Sequence, residues 1–362
     1  MLMLVFALDL QYLLKGIRVV YLTGHQSAFI EDYPYFDNRL IAKAKSSKLI
    51  PKHKDYHQKS LKAGASAFFE SYETTAFLVI KNDSLWYEYY DLYTDSTTIS
   101  NSFSMAKSIT VSLLFKAIQD GYIKGLDQPI TDFFPEFAGD YAERCTMRDL
   151  ASMASGLSWE EHYKNPFSIT AKSYYTSDIE QLITGLSIDE VPGKEFNYLS
   201  GNTQLLGLAL QKAVGTSLSA YLSESFWEPM GMEQKALWQL DSEASGNEKS
   251  YCCIAATARD FARFGLLYKN FGNYYGQQLI DTSFVELATQ PRFKAAPQYG
   301  YGFWLGKHRD HDFYLMQGIQ GQYVIVIPGL NVVIVRLGHK NNPKRIRTLH
   351  QDLYDYIDLV LP

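Results

Sequence analysis

Ser104-Met105-Ala106-Lys107 sets a hydroxyl and an amine three residues apart. Apolar residues at Ile109, Leu113, Ala117 and Ile118 follow at helical spacing, so an amphipathic helix is predicted to begin at Ser104. Residues three apart share a helix face, which brings the Lys107 ammonium to the Ser104 hydroxyl. A serine hydroxyl is a weak nucleophile at neutral pH, and a desolvated, neutral lysine serves as its base. The free N–H groups and partial positive charge of a helix start favour the oxyanion formed in acyl transfer. Ser-x-x-Lys occurs once in the chain, about as often as chance provides. A capping serine followed by a surface lysine is the plain alternative, and what accompanies the pair has to decide between them.

Two further segments carry polar groups where chemistry could use them. Phe196-Asn197-Tyr198-Leu199-Ser200-Gly201-Asn202 is a polar loop entering a helix predicted over Thr203 to Val214. A tyrosine near a lysine ammonium has its pKa lowered and shuttles a proton between nucleophile and leaving group, which makes Tyr198 a candidate second base. Tyr-x-Ser or Tyr-x-Asn is unspecific and occurs elsewhere too, as at Tyr163, Tyr221 and Tyr268. The last two fall in predicted helices, leaving Tyr198 and Tyr163. Gln317-Gly318-Ile319-Gln320-Gly321-Gln322-Tyr323 lies between two strand patterns. Its paired glycines would let a substrate approach the backbone closely, and a tight hairpin without a ligand is the plain alternative.

The elements that position these residues follow from periodicity and turns. From Thr75 to Tyr90 two β-branched and aromatic runs flank Lys81-Asn82-Asp83-Ser84, a predicted hairpin. Strand patterns return at Tyr301 to Leu305, Phe313 to Met316, Gln322 to Ile327 and Asn331 to Leu337, with Pro328-Gly329 as the last turn and a closing helix from about Lys344 to Leu359. The stretch between is helical. Thr146 with Asp149, Ser177 with Glu180, Thr257 with Asp260 and Ser283 with Glu286 fit capping-box spacing, and Gly121, Gly215 and Gly272 sit where helices end. The expected class is α+β: an antiparallel sheet built from both chain ends with flanking helices, plus an inserted, mostly helical domain. The expected boundaries are an N-terminal extension over 1–65, a sheet domain over 66–130 and 291–362, and a helical domain over 131–290, with a cleft between the last two.

In this order and on these structural types, the three segments resemble the serine β-lactamase and penicillin-binding-protein superfamily. Within it the class C β-lactamases, related esterases and 6-aminohexanoate-oligomer hydrolases look most similar, because they use a tyrosine in the second motif. Thr146 to Leu157 (TMRDLASMASGL) and Thr257 to Gly265 (TARDFARFG) also look like that group, and the likeness spans roughly residues 75 to 340. The resemblance implies a β-lactamase/transpeptidase-like fold and an acyl-enzyme reaction on an amide or ester. It implies Ser104 as nucleophile, Lys107 and Tyr198 sharing the acid and base roles, and the N–H groups of Ser104 and Ile319 as the oxyanion hole. Ser200, Tyr163 and Gly318 would contact substrate. Two departures stand out: Ser200 replaces the usual Asn, and no Lys-Thr-Gly precedes Ile319, where Leu315-Met316-Gln317-Gly318 stands instead. The cationic anchor for a β-lactam carboxylate is therefore missing, which leaves β-lactam, peptide, ester and oligoamide substrates in play and favours an uncharged amide or ester. The alternative is a catalytically silent relative that binds peptide or cell-wall fragments.

Composition excludes other classes. With 46% hydrophobic, 15% aromatic and 20% charged residues the chain is a folded globular protein. A net charge of −5 argues against nucleic acid as a partner. No G-x-G-x-x-G or Walker-type loop and no zinc-like Cys/His spacing occurs, so neither cofactor nor metal is expected. His308-Arg309-Asp310-His311-Asp312 reads as a solvated turn between strands, and neither His162 nor His339 accompanies a nucleophile elbow for a Ser-His-Asp triad. The three cysteines, two of them adjacent at Cys252 and Cys253, are expected as buried free thiols. The apolar run Met1 to Leu8 falls far short of the about 20 residues of a membrane span. It is an incomplete run through which alone membrane association would come, and it tilts the expected location to the cell envelope or export over the cytoplasm.

Overall fold

A computed structural model of the chain describes residues 10–58 and 60–361. The apolar run Met1 to Leu8 lies outside the described residues. In chain order the elements are α1 (Gln11–Val19), β1 (Asn38–Ile41), α2 (Ala65–Ser71), β2 (Thr74–Lys81), β3 (Ser84–Tyr90), β4 (Ile99–Asn101) and α3 (Met105–Gln119). Then come α4 (Met147–Ala151), α5 (Ile169–Tyr175), α6 (Ile179–Thr184), α7 (Ser200–Val214), α8 (Leu218–Leu222), β5 (Ala236–Gln239), β6 (Ile254–Thr257) and α9 (Ala258–Lys269). The chain continues through β7 (Asn273–Tyr274), β8 (Gln277–Gln278), α10 (Thr282–Ala288), β9 (Trp304–His308), β10 (His311–Gly318), β11 (Gln322–Ile327) and β12 (Val332–Gly338). It ends in a two-residue ribbon, β13 (Arg345–Ile346) with β14 (Leu349–His350), and α11 (Gln351–Val360).

The hairpin β2–β3 turns at Asn82 and Asp83, both with left-handed φ of 50° and 59°. Two consecutive positive φ angles match the right-handed twist of the strands, and short polar side chains tolerate them best. β12 runs antiparallel to β2, Val335 opposite Leu78, so the two chain ends share one six-stranded sheet in the order β3-β2-β12-β11-β10-β9. Side chains alternate along it: Leu78, Ile80, Val324 and Val333 face one cluster with Ile109 of α3 and Phe261 of α9. Phe77, Val79, Ile325 and Ile334 face the other with Phe69 of α2 and Tyr356 of α11. Covered on both faces, these strands read as unbroken apolar runs. The α+β arrangement expected from the sequence is the observed one.

The structure departs from the sequence reading at several elements, α7 among them, which begins at Ser200 rather than Thr203, and five departures bear on the architecture. First, α9 lies within 131–290, read as the helical domain, yet packs on the sheet; a Cβ at Gly265 would stand 2.5 Å from Val333 Cγ1 and 2.8 Å from Val324 Cγ1. Second, the stretch read as an N-terminal extension is built into the fold, with β1 paired to β5 in a second sheet ordered β1-β5-β6-β4. Strands of three or four residues leave too short a period to detect. Third, α11 begins at Gln351 rather than near 344, because residues 345–350 form the β13–β14 ribbon around a left-handed Arg347. Fourth, two of the four expected helix starts hold as written, with a full capping box at Thr146 and Asp149 and a capping Thr257. Asp178 rather than Ser177 caps α6, and Asp281 precedes α10. Fifth, Cys252 and Cys253 are joined to each other as a disulfide where the backbone turns left-handed at Cys253, so the buried free thiol is Cys145.

α3 sits between the sheet and the helical layer, against β10 and β11 on one side and α7 on the other. The amphipathic pattern expected for it therefore gives way to burial on all sides, Lys107 included. The segment His308 to Asp312 forms the β9–β10 hairpin, where His308 and Arg309 pair with Asp358 of α11. Among the described residues no helix is long and apolar enough to cross a membrane.

Candidate active site

Ser104 owes its position to the turn between β4 and α3. The Ser102 amide donates to the Ile254 carbonyl at 2.8 Å, the Ile254 amide donates back to Ser102 Oγ at 3.1 Å, and the Phe103 amide donates to Asn101 Oδ1 at 3.0 Å. Held this way, Phe103 adopts a φ of 44°, a region a bulky side chain enters only when its surroundings over-determine it. Ser104 is the next residue, the N-cap of α3. Gly318 at the end of β10 abuts the same turn. A Cβ there would lie 2.3 Å from the Ser102 carbonyl and 3.2 Å from Phe103 Cβ, so the glycine lets β10 close on the serine's turn. At Gly321, φ 84°, a Cβ would run into the Arg336 guanidinium. On the side a Cβ would occupy, these glycines make room for protein.

Lys107 points its Nζ at three oxygens: Ser104 Oγ at 2.9 Å, Ser200 Oγ at 3.1 Å and the Tyr251 carbonyl at 2.9 Å. Burial disfavours the ammonium and pushes its pKa down from 10.5 to about 8, with the negative charge of Glu161 opposing the shift. In Trp159-Glu160-Glu161-His162-Tyr163 the sequence reading singles out Tyr163 and weighs His162, and it misses Glu161. Glu161 Oε1 accepts from Ser200 Oγ at 2.7 Å and from the Tyr163 hydroxyl. Its Oε2 accepts from the Ser200 amide at 2.7 Å and Trp159 Nε1 at 2.8 Å. The buried indole next to this carboxylate was the available signal, because a buried indole N–H requires an acceptor.

Tyr198 lies beside Ser104 and packs its ring against Trp304, tilted, and Tyr299, edge-on, with centroids 5.1 and 5.8 Å away. Burial holds its pKa above the ordinary tyrosine range, opposed by the neighbouring Ser104 and Trp304 side chains. The lowering expected from a neighbouring ammonium is thus reversed, because the desolvation of the phenolate outweighs a lysine that is itself easily neutral. Tyr198 stands as a neutral hydroxyl that can relay a proton. Its ring also lies 5.2 Å from Lys107 Nζ.

Ser104, Ser200, Tyr163 and Ile319 line one cavity of about 380 Å³. The structure thus brings together Ser104, Lys107, Tyr198, Ser200 and Tyr163, sets Ile319 in the lining of the cavity that contains Ser104, and packs Gly318 against the Ser102–Phe103 turn. Met316 and Gln317 occupy the β10 positions of the missing Lys-Thr, and Met316 is buried in the core. Among the described residues no group of three or more His, Cys, Asp or Glu could hold a metal ion. A half-exposed serine on a buried lysine, with a neutral tyrosine beside it, is equipped to deprotonate the serine and protonate a departing group.

A family profile described as Beta-lactamase matches residues 67–356. The 6-aminohexanoate-dimer hydrolase of Paenarthrobacter ureafaciens is 26% identical over 294 residues, 75% of this chain and 74% of that protein. A solved candidate 6-aminohexanoate-dimer hydrolase from Bacillus anthracis superposes with a TM-score of 0.75 at 21% identity, covering 90% of this chain and 89% of its own. A penicillin binding protein from Bacillus halodurans superposes with a TM-score of 0.64 at 15% identity, covering 82% of this chain and 98% of its own. The two structural likenesses are likenesses of fold.

Proposed function

The chain belongs to the Beta-lactamase family, and from that premise we propose that it is a serine hydrolase cleaving an amide or ester through an acyl-enzyme. The observation that carries this reading is the 2.9 Å contact between Ser104 Oγ and a buried Lys107 whose pKa is pushed down to about 8. Neutral Lys107 takes the Ser104 proton as Oγ bonds to the substrate carbonyl carbon, and the carbonyl electron pair moves onto oxygen. The Ser104 and Ile319 N–H groups receive that oxyanion. As the carbonyl re-forms, the bond to the leaving amine or alcohol breaks, and the proton on Lys107 passes through Tyr198 to the departing nitrogen or oxygen. Water then repeats the sequence on the acyl carbon, giving up a proton by the same relay, and releases the acid with Ser104 restored.

The hydrogen-bond donors fix which way the base faces. Neutral Lys107 has two N–H bonds and one lone pair. The Tyr251 carbonyl can only accept, and the Ser200 proton is committed to Glu161, so both take N–H bonds and the lone pair is left for Ser104. Substrate is expected to be uncharged where a β-lactam carries its carboxylate, since Met316 stands where the family places a lysine. The testing experiment is hydrolysis of p-nitrophenyl acetate by the protein beside Ser104→Ala, with intact mass read for an acyl adduct. Turnover and adduct in the unmutated protein alone support the reading. Equal rates in both proteins, without adduct, refute it.

A further inference from the structure

We propose that residues 13–28, which precede the span matched by the family, form one wall of an acyl-chain pocket, and that the enzyme therefore selects esters or amides of aliphatic carboxylic acids. The cavity containing Ser104 and Ile319 takes Leu13, Ile17 and Val20 from α1 and its C-cap, and Ala28 from the segment that follows. Phe103 and Tyr175, whose ring packs against Gly16 of α1, belong to the same lining. Lys164, exposed at the rim, is the one charged side chain in the lining among the described residues. A pocket with apolar walls and polar groups at the reacting end recognises a hydrocarbon chain attached to a carbonyl.

The wall is fastened to the parts it must stay in register with. Gln320, next to Ile319, donates its Nε2 to the Ala28 carbonyl at 2.6 Å, and the Asn101 amide on β4 donates to the Ile30 carbonyl at 2.8 Å. Buried Asp32 accepts from Asn101 Nδ2 at 2.9 Å and from the Tyr174 hydroxyl on α5 at 2.6 Å. The segment is thus tied to the Ile319 loop, to the strand leading to Ser104 and to the helical layer. The side of the substrate that enters is also decided. Tyr198, which hands the proton to the leaving group, is absent from this lining and packs toward Trp304 and Tyr299. The leaving group therefore departs on that side, and the acyl chain occupies the N-terminal pocket.

This inference rests on the serine-hydrolase reading, and the experiment separates the two. The kcat/KM values for p-nitrophenyl acetate, butyrate and hexanoate are measured for the unmutated protein, Ile17→Trp and Ile17→Ala, with Ser104→Ala as blank. The expected hexanoate-to-acetate ratio in the unmutated protein is about ten or more, the worth of a few methylenes in an apolar pocket. Ile17→Trp fills the pocket and lowers that ratio about ten-fold, while Ile17→Ala opens it and moves the preference to longer chains. A ratio within one protein does not depend on how much of it is folded. Ser104-dependent turnover with a ratio near one, or a ratio identical in all three proteins, overturns the pocket and leaves the hydrolase standing. Absence of any Ser104-dependent turnover overturns both.

Discussion

Glu161 grips Ser200 at two points, accepting from its amide and from its hydroxyl at 2.7 Å each. The grip matters beyond Ser200, because the lone pair left on Ser200 Oγ is what receives Lys107 Nζ at 3.1 Å. In the proposed mechanism, a carboxylate that makes no hydrogen bond to Ser104 thereby sets which neighbour the lysine can deprotonate.

Lys107→Ala is expected to abolish acyl-adduct formation and to lower kcat/KM by at least about 10²-fold, the lower bound for a positioned base. Intact mass and initial rates measure it. A melting transition retained in the variant shows that the fold survives, as expected when a single buried cation is removed with its desolvation cost. Unchanged turnover would take the base role away from Lys107.

The pH profile follows from the same residue. Only neutral Lys107 accepts the Ser104 proton, and its pKa is pushed down to about 8. The kcat/KM should rise about ten-fold per pH unit below that value and level off above it. Stability carries the matching sign: between about 8 and the ordinary value of 10.5, the unfolded chain holds a proton that the folded chain has released. Lys107 therefore contributes stability that grows as pH rises through this window. A profile flat from pH 6 to 9 contradicts the assignment.

The parts of this site legible in sequence were those with a short-range signature. Ser104 and Lys107 share one helical turn, and the hairpins announced themselves through Asn82-Asp83 and Pro328-Gly329. Glu161 lies 39 residues from Ser200, and nothing local in either segment shows that they meet. The direction of the Tyr198 shift required knowing that its ring is enclosed by Trp304 and Tyr299, which come from the far end of the chain. The same limit hid the second sheet, whose strand β1 pairs with β5 nearly two hundred residues on. At Gly318 and Gly321 the close approach that the structure displays is to the Ser102–Phe103 turn and to Arg336, neighbours that come from distant parts of the chain.

Tyr198→Phe keeps the ring packed against Trp304 and removes the hydroxyl beside Ser104. Its kcat/KM should fall about 10²- to 10⁴-fold for an amide, whose leaving nitrogen must be protonated. The loss should be much smaller for a nitrophenyl ester, whose phenolate leaves without a proton. Equal losses on both substrates would mean that Tyr198 acts on the nucleophile and not on the leaving group.

Glu161→Gln tests the orientation of the base. The amide oxygen must face Trp159 Nε1 and the Ser200 amide, both obligate donors, so the NH₂ turns to the Ser200 and Tyr163 hydroxyls. Ser200 then accepts from Gln and is free to donate its own proton to the lone pair of Lys107, which ties up the base. Loss of the carboxylate charge also removes what opposes the Lys107 shift, so the pH limb moves below about 8. The expected outcome is a plateau kcat/KM lower by about ten-fold or more, with the limb displaced to lower pH. Adding Ser200→Ala to Glu161→Gln deletes the competing donor and should recover part of the lost rate. A residue acting only through packing would lose stability without moving the limb, and a second substitution beside it would add to the damage. A double variant slower than Glu161→Gln alone, with the limb unmoved, would therefore reduce Glu161 to a structural anchor of α7.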